Sequence, residues 1–173
     1  MKTRDIAHTA VLTAIAIILG MVESFIPSIG IPGVKLGLAN IAIMITLYGY
    51  GWYYALIVNL VRIFAVAFIR GTIFQMGFFM SLTGGMLSLV VMILLKELLK
   101  RLHQITVSVI GSIFHVGGQI LIAIIFTSTP GIIYYLPFLA LTAVITGILV
   151  GLTSSQCLRL PIFKKENTQK TSE

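Results

Sequence analysis

One cysteine, Cys157, and one aspartate, Asp5, are all that the 173 residues hold of either type. A lone cysteine excludes an internal disulfide and a multi-cysteine metal site. A lone aspartate excludes any active site that grips a magnesium-bound diphosphate between two aspartate-rich clusters. Charge of either sign is scarce, at 10% of residues, against about 25% in a soluble globular chain. There is no G-x-x-x-x-G-K-[ST] loop, so the chain does not hydrolyse ATP itself, and no H-E-x-x-H. A paired-glutamate site is also missing, and Ser112, three residues before His115, has no evident oxyanion donor that would make the two a dyad. These gaps argue against an enzyme, and nothing calls for a metal or a cofactor.

What is present is apolar. Hydrophobic residues make up 58% of the chain and the mean hydropathy is +1.06, which a soluble core of this length could not hide. The expectation is an all-α integral membrane protein, with one membrane domain over 1–160 and a polar, disordered cytoplasmic tail over 161–173. Six spans are expected, over residues 6–26, 34–48, 52–69, 73–95, 105–126 and 134–154. The first follows "MKTRD" without a small-residue cleavage site and reads as a retained helix. The second is the shortest: fifteen residues reach only ~22 Å, so it starts or ends below the membrane surface. The net charge of +7 is no nucleic-acid footprint, because the basic residues flank apolar segments without interleaved aromatics. They set topology instead. With both termini cytoplasmic in the cell membrane, Lys2, Arg4, Lys96, Lys100, Arg101, Arg159, Lys164, Lys165 and Lys170 lie inside, leaving Lys35, Arg62 and Arg70 of the twelve basic residues.

On that topology the polar side chains are unevenly spread in depth. Glu23, Lys35, Asn40, Asn59, Arg62, Arg70, Gln75, His115 and Gln119 fall in the outer half or near the midplane, which implies a pocket open to the outside. Arg62 is too deep for easy snorkelling, and Asn59 stands one turn away on the same face. It either pairs with Glu23, the only acid in the outer half, or meets a ligand. In helix five, His115 and Gln119 share a face, and Gly117 and Gly118 let something bulky approach the backbone. An interhelical hydrogen bond is the competing reading for His115, interhelical glue for Asn59 and Gln119, and the headgroup interface for Arg70. The stretch "IPGVKLGLANI" at 31–41 breaks the chain at Pro32 and Gly33 and places Lys35 against the inside bias. Lys35 and the helix N-terminus that follows make an anion site, or else a capped re-entrant loop with an interfacial lysine.

Small residues mark a second surface. Ala7, Ala10 and Ala14 form a stripe on helix one, and Gly147 and Gly151 repeat the small-xxx-small spacing on helix six. Close intramolecular packing is expected of the glycines, and docking of a partner helix competes with packing for Ala10 and Ala14.

Three motifs carry a resemblance over almost the whole membrane region: "PGVKLGLAN" at 32–40, "GGMLS" at 84–88 and "FHVGGQ" at 114–119. With these the chain resembles the Gx transporter family, whose members carry the label heptaprenyl diphosphate synthase component I. That family is in turn similar to the substrate-binding S components of energy-coupling factor importers, with six helices, both termini inside and an alanine motif in helix one matched here by Ala10 and Ala14. The resemblance implies capture of a small anionic ligand from the outer face, then docking on a membrane coupling subunit driven by two ATPase subunits. It leaves the ligand open among isoprenoid or quinone precursors and flavin-like molecules. Glu23, Lys35, Asn40, Asn59, Arg62, Arg70, His115 and Gln119 are the expected ligand-binding residues. The competing expectation is a non-transporting subunit that anchors or regulates a prenyl-diphosphate synthase or redox enzyme, docking through "KELLKRLHQ" at 96–104. A passive channel fits poorly, because no polar stripe continues into the inner half.

Overall fold

The computed structural model describes residues 3–25, 37–99 and 101–160. Lys35, the Pro32–Gly33 break and the polar tail lie outside them. The described chain is a bundle of six helices without a strand: α1 (Thr3–Phe25), α2 (Asn40–Gly49), α3 (Trp52–Ile69), α4 (Met76–Leu98), α5 (Gln104–Thr127) and α6 (Leu136–Leu158), the last preceded by a 3-10 turn at Pro130–Tyr135. Five of them are long and apolar enough to cross a bilayer. The exception is α2, whose ten residues rise only ~15 Å.

Exposure runs opposite to that of a soluble protein. Val11, Ile18, Phe68, Ile125 and Leu141 point outward, while Glu23, Asn59, Arg62, His115 and Gln119 are buried. Lipid offers no hydrogen bonds, so the few polar side chains turn inward and the apolar ones face out. This is the architecture of a multi-pass membrane protein.

Two packing regimes hold it together. In the first, α5 lies against α4 and α6 at glycine-limited distances. A Cβ on Gly118 would come within 2.9 Å of the Gly84 Cα, one on Gly147 within 2.7 Å of the Val109 Cα, and one on Gly151 within 2.7 Å of the Ile105 Cα. Backbones meet there, which is the close approach that small-xxx-small spacing permits. Gly117, by contrast, faces open space, so of the two adjacent glycines only Gly118 serves helix contact.

The second regime belongs to α2. Its residues from Ala42 to Leu47 are all buried, wedged among α1, α3 and α6, as befits a helix apolar on every side. Such a helix ends below the surface, and its terminal amides and carbonyls need partners that water cannot supply. Neighbouring helices provide them. Glu23 of α1 accepts hydrogen bonds from the backbone N–H groups of Gly37 and, at 3.2 Å, Leu38. At the other end Lys96 of α4 donates to the Leu47 carbonyl at 2.8 Å and sits 5.3 Å from the centre of the Tyr48 ring. A carboxylate at the N-terminus and an ammonium at the C-terminus both oppose the helix dipole.

The helix boundaries depart from the sequence expectation at several ends, α1 starting at Thr3, α4 running on to Leu98 and α6 to Leu158, and in two places a turn stands where helix was expected. The expected helix from residue 34 starts at Asn40, after a turn in which Gly37 takes φ 85°; the span expected from residue 73 starts at Met76, after a turn with Gly71 and Phe74 both at φ 63°. Leu12 near the start of α1, Ile45 and Tyr50 share a cluster with Cys157 and Leu158 at the end of α6. The first and last helices therefore bring their terminal ends to the same end of the bundle, where the Tyr50 hydroxyl also meets His8 Nδ1 at 2.8 Å. Ala10 and Ala14 are exposed on α1 toward that end.

Candidate functional site

The opposite end holds a cavity of about 110 Å³, lined by Glu23, Arg62, Arg70 and His115 among others. Four helices contribute to it. α1 supplies Glu23 from its last turn, and α3 supplies Arg62, with Arg70 just past its end. α5 supplies His115, and the α3–α4 turn with the start of α4 adds Thr72, Gln75 and Ser81.

Arg62 is the centre of the arrangement. It is only 7% exposed, and its guanidinium is held by amide oxygens. Nε and Nη2 donate to Asn59 Oδ1 at 3.1 and 2.9 Å, and Nη2 reaches Asn40 Oδ1 at 3.4 Å. Among the described residues its hydrogen-bond partners include no carboxylate; of the two readings open for it, the Glu23 pair is present only as a through-space interaction across the shared cavity. Glu23 faces the same cavity but spends its Oε1 on the backbone at the start of α2. Asn40, the first residue of α2, thus ties the helix held by Glu23 to the arginine. A Cβ on Gly37 would stand 3.0 Å from the Asn40 amide nitrogen and 3.7 Å from the His115 ring, so glycine there keeps the junction of α2 and α5 closed.

His115 and Gln119 stack on one face of α5, with His115 Nε2 and Gln119 Nε2 2.9 Å apart. In this pairing the amide nitrogen of Gln119 donates and Nε2 of the imidazole accepts. Gly84 makes room for both: a side chain there would meet the His115 carbonyl oxygen at 2.7 Å and the Gln119 side chain at 3.0 Å. Gln119 itself is fully buried behind His115 and orients it.

Of the eight residues expected from sequence, Glu23, Arg62, Arg70 and His115 line the cavity. Asn40, Asn59 and Gln119 sit behind them as direct partners of Arg62 and His115. Lys35 lies outside the described residues. Arg70 is exposed at the rim, as is Gln75 opposite it. Sequence reasoning did not select Thr72, Gln75 or Ser81 for the site. Gln75 stands out as a polar residue between apolar neighbours, whereas Thr72 and Ser81 offer no such signal, because a small hydroxyl is cheap anywhere in a span.

Chemically the cavity presents two guanidinium groups, one carboxylate already engaged by backbone N–H groups, and an imidazole. Arg62 Nη1 makes no hydrogen bond among the described residues, so the buried cation keeps donor capacity. No curated protein and no solved structure matched the chain. A family model covers residues 12–157, from the first half of α1 to the last turn of α6 and thus every element that lines the cavity, and by that match the chain belongs to the family described as heptaprenyl diphosphate synthase component I.

Proposed function

We propose that the protein captures a small anion in the Arg62 cavity and serves as the substrate-binding subunit of an energy-coupling factor type importer. The observation that carries this reading is the buried Arg62, fixed by neutral amides and turned toward a cavity. A structural arginine in a span is expected to be bonded directly to a carboxylate; here the direct bonds go to amides, while Glu23 acts on it through space and is itself bonded to backbone N–H groups. The chain holds no ATP-binding loop, so accumulation of the ligand needs partners: a membrane coupling subunit and two ATPase subunits. Ala10 and Ala14, exposed on α1 at the end opposite the cavity, supply a smooth stripe against which a coupling helix packs. In this reading both termini are cytoplasmic, the cavity opens outward, and the protein binds without catalysing a reaction.

The wording of the family description motivates a second reading, a non-transporting membrane subunit that anchors or regulates a prenyl-diphosphate synthase or redox enzyme through the basic loop at 96–104. Affinity purification from detergent separates the two. Recovery of a coupling subunit with ATPases, lost in Ala10→Leu and Ala14→Leu, supports the importer. Recovery of a soluble synthase, unaffected by those changes, overturns it. Native mass spectrometry of the same preparation is expected to show a bound anion that Arg62→Gln releases.

A further inference from the structure

The cavity is small. At about 110 Å³ it takes an anionic head of a few heavy atoms, whereas pockets that enclose a whole organic ligand run to roughly 300–1,000 Å³. The remainder of any larger guest must lie elsewhere, and its surroundings are visible on α3. One face of that helix, with Arg62, Ile63, Val66, Ala67 and Arg70, lines the cavity. The other face forms an open groove of about 470 Å³ lined by Leu60, Val61, Phe64, Ala65, Phe68 and Ile73, with no polar surface. The two meet at an aromatic pair: Phe78 of the cavity wall and Phe64 of the groove stand edge to face, 5.4 Å between ring centres. The α3–α4 turn straddles both, with Thr72 and Gln75 in the cavity and Ile73 in the groove. Between them the α3–α4 seam is filled by the side chains of Ile63, Ala67 and Phe78. Side chains can change rotamer; the backbone-to-backbone contact of α4 with α5 at Gly84 and Gly118 cannot open in that way.

We infer that the guest is an anionic amphiphile, a phosphate or carboxylate on a single apolar chain, with its head at Arg62 and its chain passing sideways between α3 and α4 into the groove that faces lipid. This rests on the reading of the cavity as an anion site and adds a chain and a route to it. Charge complementarity selects the head, and the wholly apolar groove selects a chain without polar groups. Rotation of Phe78 away from Phe64 joins the two spaces.

The test is calorimetric titration of the full chain in phosphatidylcholine nanodiscs, with heats from empty nanodiscs subtracted. The probes are methyl phosphate, octyl phosphate, octanoate and the uncharged octyl glucoside. Octyl phosphate or octanoate is expected to bind at least tenfold more tightly than methyl phosphate, and whichever is tighter identifies the head. Octyl glucoside is expected to give no saturable binding and no competition. In Ala65→Trp, which fills the groove on the lipid face of α3, the gain from the chain is expected to disappear. Equal affinity for methyl and octyl phosphate overturns the amphiphile while leaving the anion site standing. Competition by octyl glucoside overturns it as well, because the head then contributes nothing. Absence of saturable binding by all three anions overturns the anion site and the amphiphile with it.

Discussion

At the scale of single residues, the energetics turn on how Arg62 is held. A guanidinium presents five N–H donors in a planar fork, and here two asparagines from different helices take Nε and Nη2. Neutral amides orient the group without cancelling its charge, and Glu23, the carboxylate that shares the cavity, is bonded to backbone N–H groups. A hydrogen bond to a charged group contributes about 1.5–3 kcal/mol. Arg62→Gln is therefore expected to weaken anion binding roughly 10- to 100-fold, about 1.4 kcal/mol per factor of ten. Arg62→Lys keeps the charge but cannot span Asn59 and Asn40 together, so it is expected to restore only part of the affinity. Titration of both variants with the same anion checks the ordering; equal affinity in wild type and Arg62→Gln would remove the arginine from the site. The position of Arg62 is legible in the sequence because a charge in the middle of "VNLVRIFAVAF" has so few explanations. Its partners are less so. Asn59 follows from helical spacing, but Asn40 lies 22 residues away on α2, and only the fold brings it in. The choice of Glu23 for the backbone over Arg62 is not legible at all, since a sequence displays side chains and not the amides they bind.

At the scale of elements, α2 is the part whose stability and function oppose each other. Glu23 and Lys96 satisfy its two ends, and each is worth about 1 kcal/mol by helix-dipole arguments, with up to ~2 in buried geometry. Glu23 also places a negative charge in the cavity proposed to take an anion. In Glu23→Gln the amide oxygen can still accept from Gly37 and Leu38 but carries no charge. The expected outcome is a thermal midpoint lower by a few degrees together with tighter anion binding. Thermal unfolding and titration on one preparation read both signs; a variant that loses stability and affinity together would show that Glu23 acts only as a scaffold. Hydropathy locates all six apolar segments, because a span needs only length and greasiness. It places the starts of α2 and α4 too early, since Ile73 and Phe74 are as apolar as any helical residue although the chain turns there with Gly71 and Phe74 at positive φ. Lys96 reads from sequence as a topology marker alone; its bond to the Leu47 carbonyl depends on α2 ending below the surface, which no window average detects.

At the scale of the whole molecule, the two ends of the bundle are chemically different, and sidedness follows from that difference. One end gathers the cavity and its polar rim. The other carries the tight turn at Tyr50–Gly51, the end of α4 with Lys96, and the chain ends of α1 and α6. Basic residues concentrate at the second end, including Arg4, Lys96, Arg101 and Arg159. Retention of lysine and arginine on the cytoplasmic side is expected to orient the cavity outward. Cys157, the only native thiol, makes the check direct. In a Cys157→Ser background, one cysteine is placed at exposed Gln75 on the cavity rim and, in a second variant, at exposed Gln156 near the end of α6. A membrane-impermeant maleimide added to intact cells is expected to label Gln75→Cys at once and Gln156→Cys only after lysis. Labelling in the reverse order would put Arg62 on the cytoplasmic side, where a ligand could reach it without crossing the membrane, and a capture subunit for import would lose its purpose.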